Sequence, residues 1–202
     1  MSTSRRQRTG YHHGDLRASL LRAASELVEK KGIDGLSLRN VARRAGVSHN
    51  APYRHFPSRS ALLAAIAAAG FERFRAELEA AERAGGLRAR GEAYVHFALA
   101  RPELFRLMFG PAVEGDAQLR EQAGLAFGGL RQAITSHAGQ EAPFAALAAW
   151  ALVHGLSHLL LDRRITGAMM GNPRDPAQLR RFVGEVLGSV RFAVAPPAQR
   201  SA

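Results

Sequence analysis

Between Leu36 and Leu63 the chain reads LSLRNVARRAGVSHNAPYRHFPSRSALL, and Gly46 divides it into two short helical stretches. Ser37 is placed to cap a helix of about 38–45, which Gly46 ends. Ser48 caps the next, of about 49–55, which Phe56-Pro57 closes. Val41, Ala45 and Val47 supply an inner face, and the small Ala42 lets the two helices cross closely. Glycine at 46 can take the positive φ that so tight a turn requires. The second helix is left with a basic and aromatic surface. A small helical domain presents a helix to the DNA major groove in this way.

The charge distribution agrees with that expectation. The chain of 202 residues has a formal net charge of +11, and residues 1–60 hold twelve Arg and Lys against four acids. A polyanion is therefore the expected partner of the first third, a solvated basic face being the alternative. There is no cysteine, which excludes disulfides and thiolate metal sites and is compatible with a cytoplasmic location. The N-terminus is polar and lacks the apolar core of about 7–15 residues that marks a signal peptide. From Glu141 to Asp162 no residue between the two is charged, a run long enough to compare with the ~20 apolar residues of a membrane span. Pro143, His154, Gly155, Ser157 and His158 interrupt it, and much of the rest is Ala. A buried helix at a subunit interface is expected, with no membrane partner.

The remaining elements read as helices throughout. Residues 1–10 are polar and basic, expected as a mobile arm. A first helix starts near Asp15, with Leu16, Leu20, Ala23, Ala24, Leu27 and Val28 at helical spacing and Lys30, Lys31 and Gly32 at its end. Ser58 opens a long helix carrying Leu62, Leu63, Ile66 and Phe74, which Gly85-Gly86 breaks. Tyr94, Val95, Phe97, Ala98 and Leu99 share a helix ended by Arg101-Pro102. Leu104, Phe105, Leu107, Met108 and Phe109 form a short one closed by Gly110-Pro111. Helices of about 116–138 and 143–164 follow, then a loop from Gly167 to Pro176. The last helix carries the apolar stripe Leu179, Phe182, Val183, Val186, Leu187 and Val190. No β-alternation of useful length occurs, so the fold class is all-α. The expected domains are 11–57, a connecting helix 58–85, and a helical body 86–195.

These residues resemble the TetR/AcrR family of one-component bacterial transcriptional regulators, through LSLRNVARRAGVSHNAPYRHFPSRSALLAAI with its Gly-Val-Ser turn and aromatic-x-His-Phe ending. The second half is similar to a subgroup with a Trp-x-x-x-His-Gly signature, here Trp150 to Gly155, and FALARPELFRLMFGP and YHHGDLR are also similar to it. The resemblance implies a homodimer with a three-helix DNA-binding head and a helical ligand-binding body. Pro52 departs from it, standing where many members have an ordinary helix former.

Candidate residues follow. His49, Asn50, Ala51, Tyr53 and Arg54 occupy the exposed part of the third helix, where Arg suits guanine, Asn adenine and Ala a thymine methyl. Arg54 is open to a base or to a phosphate. Tyr53 and His55 resemble family residues that bond phosphate, and Ser37, Ser48, Arg39 and Arg59 suit the same role. Phe56 is assigned to packing. Pro52 forfeits a backbone hydrogen bond and biases Ala51 away from α geometry, giving a stiff, 3₁₀-like first turn. Tyr94, Phe97, Phe105, Met108, Phe109, Trp150 and His154 cluster in the helices that enclose a ligand in similar proteins, either as pocket or as core. With His96, Arg106 and His158 nearby, they suit a mainly apolar small-molecule effector with a polar or acidic end. His154 and His158 have a zinc-compatible spacing but no evident third ligand, so no metal is assigned. Gly124, Gly128 and Gly129 lack the pattern of a phosphate loop, no nucleophile–base pair can be argued, and no cofactor is called for. The expected function is a ligand-responsive repressor that binds a near-palindromic double-stranded DNA operator as a dimer. An architectural DNA-binding protein and a helical-bundle enzyme are the rivals.

Overall fold

The computed structural model describes residues 13–111, 116–138, 143–172 and 175–190. The expected arm of residues 1–10 and the expected end of the body, 191–195, lie outside them. Every regular element among the described residues is helical. Helix α1 (His13–Lys31) starts two residues ahead of Asp15 and buries Leu20, Ala23, Ala24, Leu27 and Val28, one stripe at helical spacing. Gly32 follows at φ +69°, and its N–H bonds the Val28 carbonyl at 2.8 Å.

Helix α2 (Leu38–Ala45) is set at both ends by local chemistry. Ser37 Oγ accepts the Asn40 N–H at 3.1 Å, and Gly46 takes the left-handed φ of 69°. The N–H groups of Gly46 and Val47 then return to the carbonyls of Arg43 and Ala42, a Schellman closure. Leu38, Val41 and Ala42 are buried.

The following segment corrects one expectation. Instead of an α-helix over 49–55 there is a succession of tight turns ending in a 3₁₀ turn, Pro52–Arg54. In an α-helix the Ser48 carbonyl would pair with the N–H of residue 52, which proline lacks. Here the Ala51 N–H takes it at 3.0 Å. Ala51 itself is α-helical (φ −59°, ψ −41°), so the steric bias of a residue before proline is overridden. Pro52 and Phe56 are buried beneath the turn.

Helix α3 (Arg59–Ala100) starts at Ser58, whose Oγ accepts the Ala61 N–H at 3.0 Å. Gly85 (φ −151°, ψ 18°) and Gly86 (φ 72°, ψ −163°) break it. The break is a reversal. Twenty-three residues of straight helix would separate Phe74 from Phe97 by about 35 Å, yet their rings lie 5.0 Å apart. α3 is therefore a helical hairpin with Gly85-Gly86 at its tip, and Arg101 braces the returning arm to Glu77 at 3.1 Å.

Helix α4 (Pro102–Phe109) turns back onto α1, and α5 (Ala117–Ala138), α6 (Pro143–Leu161), the short α7 (Gly167–Met170) and α8 (Pro176–Ser189) complete the body. α3 packs against α1, α4, α5, α6 and α8. One apolar core consequently runs from Leu20 and Phe56 at one end, through Leu62, Ile66 and Phe74, to Val183 in α8. α6 buries Ala146, Ala149, Val153, Leu156 and Leu160 but exposes Phe144, Leu147 and Leu159. Its stretch Phe144–Leu161 is long and apolar enough to cross a membrane, with mean hydropathy 1.7.

Candidate nucleic-acid interface and internal cavity

At the end formed by α1, α2 and the 3₁₀ turn, Arg39, Ser48, His49, Asn50, Tyr53 and Arg54 are exposed, and Ser37, Ala51 and His55 are half-buried. The turn carries them because its other side is anchored by Pro52 and Phe56, with the Arg17 guanidinium 5.3 Å from the Phe56 ring. Arg44 pairs with Glu26, and that hydrogen bond and charge hold the Glu26 carboxyl below the usual carboxylate range. Arg43 bonds Asn40 Oδ1 at 3.0 Å. Arg39 and Arg54 have no ion pair among the described residues, so their charges are available to an incoming polyanion. Two of the expected contacts have structural duties. The Ser37 oxygen accepts the cap bond, and its proton remains free to donate. Arg59 donates from Nε to the Leu36 carbonyl at 3.0 Å and from Nη2 to the Ile33 carbonyl at 2.6 Å. It thus locks the start of α3 onto the loop between α1 and α2.

Within the body lies a cavity of about 720 Å³. Phe71, Phe74 and Leu78 line it from the first arm of α3, and Leu87, Gly91 and Tyr94 from the second. Met108 and Phe109 close one side, Ala126, Phe127, Leu130 and Ile134 of α5 another, and Ala149, Trp150 and Val153 of α6 a third. Four of the seven expected ligand residues therefore line it: Tyr94, Met108, Phe109 and Trp150. The other three stand behind the wall. Phe97 is buried under the Arg101 guanidinium, 4.7 Å from its ring, and Phe105 packs against Phe109 at 4.8 Å. His154 supports the wall by a hydrogen bond.

That bond belongs to a directed chain. Trp150 Nε1–H can only donate, and it donates to Tyr94 Oη at 3.2 Å. The Tyr94 proton is then free for His154 Nδ1, 2.8 Å away. His154 accepts it only as the neutral ring. Burial, and then the charge of His158 at a ring separation of 4.7 Å, push the His154 pKa below the ordinary histidine value. Burial raises the Tyr94 pKa far above the usual phenol value, the Trp150 bond opposing it. The other expected polar groups are elsewhere: Arg106 is paired with Glu103 at 2.9 Å, and His96 lies outside the wall, its pKa lowered by burial and by Arg180.

The cavity's cations are Arg88 and Arg90, which sequence reasoning passed over because the run Leu87-Arg-Ala-Arg-Gly91 reads as solvated helix surface. Arg90 is only 3% exposed. Its Nη1 bonds Glu82 Oε2 at 2.6 Å across the hairpin tip, while Nε and Nη2 are buried without an acceptor. Phe71 and Phe127 were equally invisible as wall residues. Only the fold-back at Gly85-Gly86 brings the two arms of α3 to one space.

Exposed basic residues at one end and a mainly apolar chamber at the other are joined by one helix. Comparison with known proteins is specific on this point. Residues 20–66 match the bacterial regulatory proteins of the tetR family, and residues 87–187 match the tetracyclin repressor-like C-terminal domain. Over 51 residues the chain is 45% identical to the tetracycline repressor protein class A from transposon 1721 of Escherichia coli, covering 25% of this chain and 24% of that repressor. The match thus spans about a quarter of that relative's length. A solved protein of unknown function from Rhodococcus sp. RHA1 is 37% identical, with TM-score 0.67, covering 89% of this chain and 93% of that one. The fold is shared also with the TetR-like regulator LfrR of Mycobacterium smegmatis, solved with proflavine, at 22% identity, TM-score 0.60, and coverage of 89% and 99%. The chain belongs to the tetR family of bacterial regulatory proteins: it is a DNA-binding transcriptional regulator.

Proposed function

We propose that this regulator is a dimeric repressor, released from a near-palindromic operator by a mainly apolar small molecule. Residues 11–57 form its head, 58–85 its connecting helix and 86–195 its body, and it works in the cytoplasm. His49, Asn50, Ala51, Tyr53 and Arg54 meet the major groove, with Ser48, His55, Arg39 and the Ser37 hydroxyl on phosphates. Arg59 acts as the brace beneath them. The observation that carries the reading is the double duty of the first arm of α3. Its Phe71, Phe74 and Leu78 form cavity wall, and its N-terminus is locked to the head through Arg59. A ligand that displaces the wall moves the head with it.

Dimerisation is supported by α6, which is apolar on its outer face (Phe144, Leu147, Leu159) as well as its inner one. Paired with α8, it forms a four-helix interface with the partner. Two heads then meet half-sites about 34–36 Å apart, or a multiple of it. Ligand favours release only by preferring a head separation that does not fit the grooves. Selection of random DNA by the full chain should return an inverted repeat. Spin labels on the two heads should report different separations with and without a compound that releases DNA. An unchanged separation refutes the rigid-body mechanism, and release only by strongly cationic, hydrophilic compounds refutes the apolar effector.

A further inference from the structure

We propose that Arg90 anchors a carboxylate on the effector, so that the cavity takes an amphipathic acid, apolar over its length and anionic at one end. This rests on the cavity being the effector site. Its wall is apolar on α4, α5 and α6, where a hydrocarbon or aryl body finds Met108, Phe127 and Trp150. Its charges are concentrated at the hairpin tip. Arg88 and Arg90 both line it there, and no carboxylate does so among the described residues.

The two arginines are not equivalent. Arg88 is 62% exposed and its Nε is satisfied by Glu92 at 2.9 Å. Arg90 is 3% exposed and holds Glu82 only through Nη1. Its two unpartnered nitrogens, Nε and Nη2, lie on the same edge of the guanidinium. That edge offers two parallel N–H groups, the geometry that a carboxylate accepts bidentately. Nη2 packs against Gly129 of α5, 3.1 Å from where a Cβ would stand, so the missing side chain makes room for the guanidinium itself. Glu82 neutralises the opposite edge and holds the plane in place. A buried, half-satisfied guanidinium at the wall of a mainly apolar chamber gains from an acceptor that reaches it from the chamber.

Trp150 is the one tryptophan of the chain and stands in the cavity wall, so its emission reports occupancy directly. The full-length protein is titrated with dodecanoate, dodecanol and dodecylamine below their aggregation limits. Dodecanoate is expected to bind about tenfold to hundredfold more tightly than dodecanol, from the strength of charge-assisted bonds, with the amine weakest. Arg90→Met should bring the acid to within about threefold of the alcohol. Arg90→Lys should recover only part of the preference, because an ammonium lacks the fork. Equal affinity for acid and alcohol in the unsubstituted protein overturns the Arg90 anchor and leaves the apolar cavity standing. No response of Trp150 to any of the three overturns the cavity as effector site and the anchor with it. The acid–alcohol comparison needs no substitution, so it decides the question even if Arg90→Met fails to fold.

Discussion

Tyr94→Phe removes a single oxygen on which two neighbours depend. Without it Trp150 Nε1–H loses its acceptor at 3.2 Å, and His154 Nδ1 loses its donor at 2.8 Å. The ring remains, so the edge contacts with Phe74 at 4.9 Å and Phe105 at 5.9 Å are retained and no cavity is added. The loss is then that of partly buried polar groups left unpaired, about 1–3 kcal/mol. For a chain of this size that corresponds to a melting temperature lowered by roughly 2–12 °C. The pH dependence supplies a second signature. The folded pKa of His154 lies below the ordinary value of 6.5, so the unfolded chain binds more protons near that pH. The stability it contributes is complete above about 6.5 and is lost as pH falls through the folded value. Tyr94 donates only to the neutral ring, so Tyr94→Phe removes one interaction that favours that form, while burial and His158 remain. The variant should be less stable at pH 8, and its deficit should shrink between pH 7 and 5. Thermal melts of both proteins over that range, followed by Trp150 emission, measure both effects. A variant with the melting temperature of the parent at pH 8, or a deficit that widens in acid, refutes the Trp150–Tyr94–His154 chain.

Three further outcomes are expected in the head. Gly46→Ala has open space for its Cβ, so its cost is that of the left-handed backbone alone, about 1–2 kcal/mol in chemical denaturation; an undiminished stability refutes it. Ser37→Ala removes the cap on Asn40 and should cost about 0.5–2 kcal/mol, whereas Ser37→Gly should cost only a few tenths; equal losses would deny the backbone side of the cap. Pro52→Ala restores an N–H that competes with Ala51 for the Ser48 carbonyl and draws the 3₁₀ turn towards an α-helix. The preferred operator should change more than the melting temperature does, and an unaltered motif in a binding selection counts against it.

Much of the fold was legible because it depends on groups within about four residues of each other. Ser37, Gly46, Ser58 and Gly85-Gly86 act where they stand, through caps and positive φ, and each marks a boundary that the structure keeps. The third helix was less legible for a similar local reason with two solutions. Missing one N–H, the segment could bend Ala51 out of α geometry or pair the Ser48 carbonyl one residue earlier. It does the second, with Pro52 packed inside.

The sequence by itself determined an all-α chain with a basic head, because spacing, capping and charge are local and additive. Only the tertiary structure decided which side of the body is hollow. Tyr94 and Phe97 stand three residues apart on the same arm, yet one lines the cavity and the other is sealed beneath Arg101. Arg88 and Arg90 are two positions apart in one run of charge, yet one is solvated and the other is buried with an edge unpaired. Periodicity assigns a residue to a face of its helix. What that face meets depends on where Gly85-Gly86 turns the chain and on what α5 and α6 bring against it.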